Sequence, residues 1–464
     1  MKVALINPRA KNPKEIQQKC FAPLNLLYLA SSLEASGHQL EVIDANALQL
    51  SEQQIGQKIR LFRPDLIGLS LLSEVLLPSF PLIQYVRGLY PQGQIVLGGA
   101  HANALPEQVL EEFPAADYVL VGESEQSLPQ LCQVLKMRQD FSSVPGLYYR
   151  RAGRILSNQP ALPVKDLDIL APPARYLVAR EYKEKRYQMI LVKQRPVDIL
   201  LTSRGCPYRC RFCSNIAGEY RARSAENVLA ELLLRRGQGI RNFDFADANF
   251  TFDRRRAMRI FALIKKEKLG ISFRFKSRAD SIDRELTREA KAAGAYLISL
   301  GMESGSQKML ERMGKGTKLE DNIKACQSVL QAGLKLNTGW IIGFPGETMQ
   351  TIEETVKLIV KIKPTTANIN LLVPYPGTAV YAEAKANQQL VGDWSVKQNS
   401  IPWVKLPWAS SYAQLQGIVR QVRNKVYYRP FYLFNFAKEI IANANTHLAR
   451  YAFQEACKSI GPRR

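Results

Sequence analysis

Three cysteines, Cys206, Cys210 and Cys213, stand close together with the spacing C-x3-C-x2-C. Thiolates gathered this tightly favour a soft or borderline metal. A structural zinc would need a fourth protein ligand to close its tetrahedron. The next cysteine is Cys326, and no histidine follows before His447. A cubane iron–sulfur cluster has four irons, so three thiolates leave one iron open to a ligand from outside the chain. The remaining cysteines, Cys20, Cys132, Cys326 and Cys457, are scattered singly and read as small buried apolar side chains. Seven cysteines in 464 residues do not make a disulfide scaffold, and clustered ones in a reducing compartment point to metal or catalysis.

The elements that must position this loop follow from the hydrophobic pattern. The chain is 46% hydrophobic and 23% charged, an ordinary globular composition, and its length suits about two to four domains. No apolar run reaches the ~20 residues of a spanning helix. The start, Met1-Lys2-Val3-Ala4-Leu5-Ile6-Asn7-Pro8, is too short an apolar run for a signal peptide and reads as a first strand. A soluble, cytoplasmic protein is expected. Residues 1–137 alternate short apolar strands with amphipathic helices, which predicts a doubly wound, Rossmann-like parallel sheet with ligands at the carboxyl ends of its strands. Residues 138–195 are rich in proline, carry a hairpin-like stretch at 146–156, and read as a linker. From 196 to 385 alternation resumes, with strands expected at 198–202, 242–246, 272–276, 296–301, 335–342 and 366–372. This predicts a second α/β domain, a partial parallel (β/α)6 barrel with its site where strands give way to loops. The cysteine loop follows the first of these strands. Residues 386–464 lose the alternation and become basic, aromatic and helical.

The triplet resembles the hallmark of the radical S-adenosylmethionine superfamily, including the aromatic Phe212 before the third cysteine. The resemblance continues through Tyr220-Arg221-Ala222-Arg223-Ser224, Phe245-Ala246-Asp247-Ala248-Asn249-Phe250-Thr251, Arg278-Ala279-Asp280, Gly301-Met302-Glu303-Ser304-Gly305, Gly339-Trp340-Ile341-Ile342-Gly343-Phe344-Pro345-Gly346-Glu347 and Pro374-Tyr375-Pro376-Gly377-Thr378. It covers about 190 residues, and the usual Gly-Gly-Glu is absent from the second of these segments. The resemblance implies a [4Fe-4S] cluster on Cys206, Cys210 and Cys213. It implies S-adenosylmethionine bound by Phe212, Asp247, Arg278, Glu303, Gly339, Ile341 and Gly343. Glu303 would meet the ribose hydroxyls, since a carboxylate only accepts, and Arg278 would pair with the methionyl carboxylate.

The first domain lacks G-x-G-x-x-G after its first strand; Asn7-Pro8-Arg9-Ala10 stands there. Its distinctive residues close later strands: Ser70-Leu71-Leu72, Gly98-Gly99-Ala100-His101 and Gly122-Glu123-Ser124-Glu125. Small residues at strand ends let a flat or extended ligand approach the backbone. This pattern resembles the cobalamin-binding domain preceding the barrel in B12-dependent radical enzymes, and it implies cobalamin beside Ser70, Leu72, Gly98, Gly99, Gly122 and Glu123. The D-x-H-x-x-G element that supplies a cobalt-ligating histidine elsewhere is absent, and His101 is expected to be a polar loop residue. Asn25 stands where relatives often carry glycine.

Sixty-four basic residues against 41 acidic ones give a net charge of +23, which attracts polyanions. In the tail, Arg420, Arg423, Lys425, Arg429, Lys438, Arg450, Lys458, Arg463 and Arg464 are interleaved with Tyr427, Tyr428, Phe431, Tyr432, Phe434 and Phe436. The alternatives are a helix packed on the barrel, a surface that sits on anionic lipid, and base stacking on nucleic acid. An RNA-modifying methylthiotransferase would bring three further N-terminal cysteines, whereas only Cys20 and Cys132 precede the triplet, so nucleic acid is disfavoured. The expected activity is cobalamin-dependent radical methylation of an unactivated carbon in a small hydrophobic substrate, isoprenoid, lipid or tetrapyrrole, with an external electron donor and peripheral association with anionic membrane. The alternatives are an oxidative ring-forming, porphyrin-cyclase-like enzyme of the same architecture, an RNA-modifying radical enzyme and a non-catalytic corrinoid binder.

Overall fold

The computed structural model describes residues 1–10, 19–189, 192, 195–214, 218–398 and 401–432. It divides into two compact units, one of Met1–Met189 with Trp394–Ser400 and one of Ile190–Asp393 with Ile401–Arg464.

In the first unit, β1 (Lys2–Asn7), β2 (Gln39–Asp44), β3 (Leu66–Ser70), β4 (Gln94–Gly98) and β5 (Tyr118–Leu120) form a parallel sheet in the order β2-β1-β3-β4-β5. A sheet covered on both faces needs strands that are apolar throughout, and every residue of Leu66–Ser70 is buried. Ile6, Ile43, Ile67, Leu69, Ile95, Leu97 and Val119 join one core with Ile55 and Ile59 of the helix Glu52–Phe62 and Leu82, Ile83 and Val86 of Leu76–Leu89. Ser51 opens the first of these helices with a capping box shared with Gln54, as short hydroxyl side chains do at helix starts. Strand order reverses on either side of β1, and the crevice beyond the strand carboxyl ends is where such sheets take ligands.

The stretch read as a linker departs from expectation. Its hairpin, β6 (Leu147–Arg151) and β7 (Arg154–Ser157), pairs antiparallel with β5 and extends the sheet. Leu147 and Tyr149 are buried there, with Phe141 between Tyr118 and Tyr149 at 5.3 Å from each ring. Tyr187 returns to the same unit and donates to Asp44 at 2.9 Å. The prolines thus punctuate a covering segment of the first unit.

In the second unit, β8 (Val197–Leu200), β9 (Asn242–Phe245), β10 (Ser272–Arg278), β11 (Ala295–Glu303), β12 (Lys335–Ile342) and β13 (Thr366–Leu371) lie parallel in sequence order. β8 and β13 do not pair with each other, so the barrel is partial, as expected. Phe245, Phe273 and Phe275 pack with Phe250 and with Phe261 of the helix Arg254–Lys266. The opposite, inner face therefore carries the alternate residues. β12 shows this directly: Leu336, Thr338, Trp340 and Ile342 are buried while Lys335, Asn337, Gly339 and Ile341 are only half-buried. Helices on the outer face start at Ser224, Asp253, Asp283, Thr348 and Thr378, each accepting from the N–H three residues on.

After the barrel, the helix Tyr412–Tyr427 packs on β13. Arg423 donates to Ile369 O at 2.6 Å, Tyr427 to Ala367 O at 2.6 Å, and Lys425 pairs with Glu353 at 2.8 Å. These residues of the basic, aromatic region face the barrel itself. Phe434, Phe436, Lys438, Arg450, Lys458, Arg463 and Arg464 lie outside the described residues. Among the described residues no helix is long and apolar enough to cross a membrane.

Candidate functional site

The cysteine loop leaves β8 through a short antiparallel bridge, Ser203–Arg204 against Arg221–Ala222. Gly205 turns it at φ +77, and a Cβ there would lie 2.3 Å from Glu219 O, so only glycine fits. The loop is pinned between two distant segments: Arg211 N donates to Met313 O at 2.9 Å, and Val380 N donates to Arg211 O at 3.0 Å. Cys206 and Cys210 are half-buried and Cys213 is exposed.

Two cations crowd Cys210. The Arg278 guanidinium, on the last residue of β10, reaches 4.0 Å from the Cys210 sulfur, lies 3.6 Å over the Tyr208 ring, and is held by Asp280 at 2.7 Å. Lys315 is buried and donates to Glu303 Oε1 at 2.8 Å. Burial works against the Lys315 ammonium, but Glu303 overrides it and holds the group charged well above the ordinary lysine range. Burial raises the Cys210 thiol, against the pull of Lys315 and Arg278. Cys210 beside two cations, on the loop that also carries Cys206 and Cys213, suits a ligand of an anionic iron–sulfur cluster. Gly301 makes room for the ion pair: a Cβ there would sit 2.4 Å from Glu303 Oε1 and 3.0 Å from Lys315 Nζ. Glu303 itself has φ +62 beside a register shift in β11, a conformation an L-residue holds only where its surroundings impose it. Lys315 was not singled out in the sequence, although its setting between Gly314 and Gly316, both at positive φ, is a signal that could have found it.

Asp247, expected to contact the cofactor, turns both carboxylate oxygens to the backbone and hydroxyl of the strand end. It is fully buried. Its Oδ1 accepts from Thr202 N at 2.7 Å and Ser203 N at 3.0 Å, and its Oδ2 accepts from the Thr202 hydroxyl. Both oxygens therefore face the backbone that leads into the cysteine loop. Arg256, donating to Thr202 O at 2.5 Å, is the nearby cation. Burial pushes the Asp247 carboxyl up, and Arg256 and the Thr202 bonds pull it back. Asn249, two residues further on, accepts from Arg278 N at 3.2 Å and so braces the end of β10.

Phe212 and Ile341 meet in one apolar cluster with Met309, Met313, Phe344 and Leu372. Gly339 precedes Ile341 on the inner face, and a Cβ there would meet nothing nearer than Leu300 O at 3.9 Å. Gly343 turns the loop after β12 at φ +95 and donates to Glu347 Oε2 at 2.5 Å. Glu347 is 2% exposed and its Oε1 has no partner. Burial pushes its carboxyl up to about 8, against the Gly343 and Phe344 amides. A carboxyl raised on folding holds its proton in the native chain while the unfolded chain releases it. Stability from this group is therefore complete below about pH 4.5 and is lost as the pH rises to about 8, at up to ~1.4 kcal/mol per pH unit. Thermal melts across that window should show Glu347→Gln with a flatter decline than wild type; parallel declines would remove Glu347 as the source.

In the first unit the predicted residues gather on one sheet edge. Ser70 ends β3, Gly98 ends β4, and Gly122 and Glu123 follow β5. Gly99, at φ +102, packs on the neighbouring strand end, where a Cβ would lie 2.8 Å from Leu71 O. Leu72 projects an apolar side chain 41% exposed. Gly98 leaves its Cβ position 3.6 Å from Leu120 O. A backbone-lined edge with an exposed apolar residue fits a large, flat cofactor such as cobalamin. Two side chains are already engaged: Ser70 Oγ accepts from Asn25 at 2.9 Å, and Glu123 Oε2 accepts from Val164 N at 3.1 Å. Asn25 thus gains a role, as the residue that orients Ser70. His101 is a helical residue rather than a loop one; it is buried and bonded through Nδ1 to Ser73 Oγ at 3.0 Å.

Comparison with known proteins matches the B12 binding domain family at residues 18–132 and the radical SAM superfamily at 200–359. An uncharacterized methyltransferase of Pyrococcus horikoshii is 30% identical over 436 residues, 93% of each chain. The anaerobic magnesium-protoporphyrin IX monomethyl ester cyclase of Rubrivivax gelatinosus is 28% identical over 82% of this chain and 70% of its own. The radical S-adenosylmethionine methyltransferase TsrM of Kitasatospora setae, solved with tryptophan and an S-adenosylmethionine analogue, superposes with a TM-score of 0.73 at 20% identity, covering 89% of this chain and 82% of that one. With a cobalamin-type edge in one unit, a three-thiolate loop in the other, and a relative matched along nearly its whole length, this chain belongs to the cobalamin-binding radical S-adenosylmethionine enzymes.

Proposed function

We propose that the chain methylates an unactivated carbon of a small hydrophobic substrate, fed with electrons by an external donor. The observation that supports the reading is the cysteine loop, with Cys210 beside Arg278 and Lys315, in a chain whose first unit carries glycines at its strand ends. When bound, the cluster supplies the electron that cleaves S-adenosylmethionine, and cobalamin carries the methyl group. The residues of the chain position these partners. Cys206, Cys210 and Cys213 hold the cluster. Arg278 offers its guanidinium to the methionyl carboxylate, and Glu303, anchored through one oxygen by Lys315, keeps the other for the ribose hydroxyls. Phe212, Gly339, Ile341 and Gly343 border the adenine, and Asp247 steadies the loop from behind. Ser70, Leu72, Gly98, Gly99, Gly122 and Glu123 line the cobalamin edge. The basic C-terminal region is proposed to rest on anionic membrane, with the part of it on helix Tyr412–Tyr427 also bound to the barrel.

A second reading, oxidative ring formation on a tetrapyrrole, is favoured by the similarity to the magnesium-protoporphyrin cyclase. The two separate by products. Protein reconstituted anaerobically with iron, sulfide and hydroxocobalamin is given S-adenosylmethionine, a reductant and a lipid and pigment extract. Deoxyadenosine together with S-adenosylhomocysteine supports methylation. Deoxyadenosine alone, with cobalt retained, supports the cyclase reading, and neither product sinks both.

A further inference from the structure

Below the level of Gly339 the inner faces of β9 to β13 carry successive polar layers. Arg274 on β10 pairs with Asp244 on β9 at 2.7 Å. The Arg274 Nε, the second Asp244 oxygen and the Tyr296 hydroxyl are buried without partners. One layer nearer the cysteine loop, strand register sets Lys276 beside Ser299, Ser299 beside Asn337, and Asn337 beside Thr366. The amide and hydroxyls are already joined: Asn337 donates to Ser299 at 3.2 Å and accepts from Thr366 at 2.7 Å and Asn368 at 3.1 Å. Next come Arg278, Gly301 and Gly339, with open space over Gly339.

Lys276 stands out in this stack. Arg274 below it pairs with Asp244, and Arg278 above it pairs with Asp280 and is assigned to the cofactor. Lys276 is exposed, and among the described residues it makes no ion pair. An exposed lysine with no ion pair among the described residues, beside amides and hydroxyls and with open space over Gly339 in the next layer, is suited to an anionic oxygen group. We propose that Lys276 anchors a carboxylate or phosphate of the substrate, so that the substrate is an amphiphile with an acidic group rather than a pure hydrocarbon. This rests on the function proposed above and narrows its substrate class. The anion enters the barrel at the Lys276 layer, and the apolar part of the molecule extends from it.

The test uses thermal melts of the full reconstituted chain, titrated with inorganic phosphate or with hexanoate, each against sodium chloride of equal ionic strength. Wild type should rise in Tm with one of the two, and that one identifies the group. A ligand that binds only the folded state stabilises it in proportion to ln(1 + [L]/Kd). Lys276→Met and Lys276→Gln should weaken the apparent affinity at least ~10-fold, the loss of a charge-assisted contact, and Lys276→Arg should keep most of it. Lys357→Met, on the exposed side of the helix Met349–Ile362, controls for the general positive field and should match wild type. The proposal is overturned if neither anion raises Tm, if Lys276→Met and Lys276→Gln respond like wild type, or if Lys357→Met loses as much. It is also overturned if Lys276→Met lowers S-adenosylmethionine affinity by more than ~10-fold, which would assign the cation to the cofactor. Absence of deoxyadenosine from the wild-type assay would instead defeat the radical function, and the anion melts would still decide Lys276 by themselves.

Discussion

Cys210→Ala should reduce the iron bound by reconstituted protein to background and bring deoxyadenosine formation to the uncatalysed level. Two thiolates cannot hold a cubane whose fourth iron already lacks a protein ligand. The effect should be chemical rather than structural. Cys210 is half-buried, and the turn that positions Cys213 depends on the Cys210 carbonyl, which accepts from Cys213 N at 3.0 Å and survives the substitution. The measurement pairs iron and sulfide analysis with a product assay and a melting curve. Cys210→Ser, which retains shape and polarity, should fail in the same way. A variant that keeps its iron and turns over at the wild-type rate would remove the radical chemistry from this chain.

Asp247→Ala should be the most destabilising single change near the site, by about 3–5 kcal/mol. Its carboxylate accepts from Thr202 N at 2.7 Å, Ser203 N at 3.0 Å and the Thr202 hydroxyl. Removing it strands two buried backbone donors and leaves buried Arg256 without its facing charge. Asp247→Asn keeps one carbonyl acceptor and should lose less. Denaturant melts of the apoprotein read the stability term, and S-adenosylmethionine binding reads the functional one. A brace predicts that stability falls first and that affinity falls only as the loop loosens. A direct cofactor contact predicts the reverse, a native melt with affinity lost, and that result would return Asp247 to the binding surface.

Both predictions concern residues visible in the sequence, but for different reasons. The cysteine loop was legible because C-x3-C-x2-C is a local arrangement: three candidate ligands fall on one loop by their spacing along the chain, whatever surrounds them. The places of the strands along the chain were legible in the same way, since a parallel sheet buried on both faces forces apolar runs and the helices between them carry their own caps. Gly99 was also readable, because a strand end that touches a neighbouring backbone tolerates no Cβ, as the 2.8 Å approach to Leu71 O shows.

Tertiary structure alone decided what the charged side chains do. Asp247 sits in a family-like motif, yet its oxygens turn back to Thr202 and Ser203, 45 and 44 residues earlier. Lys315 acquires its place only when it folds over Gly301 onto Glu303. Asn25 reaches Ser70 across 45 residues, and the hairpin of the supposed linker becomes a sheet edge through pairing with β5. That Lys276 makes no ion pair among the described residues emerges from three strands in register, with Asp244 taken by one arginine and Asp280 by the other. The physical reason is common to all of these. Spacing along the chain sets which residues share a loop or a face, whereas a charge or an amide is assigned by whichever long-range partner satisfies it once water is excluded.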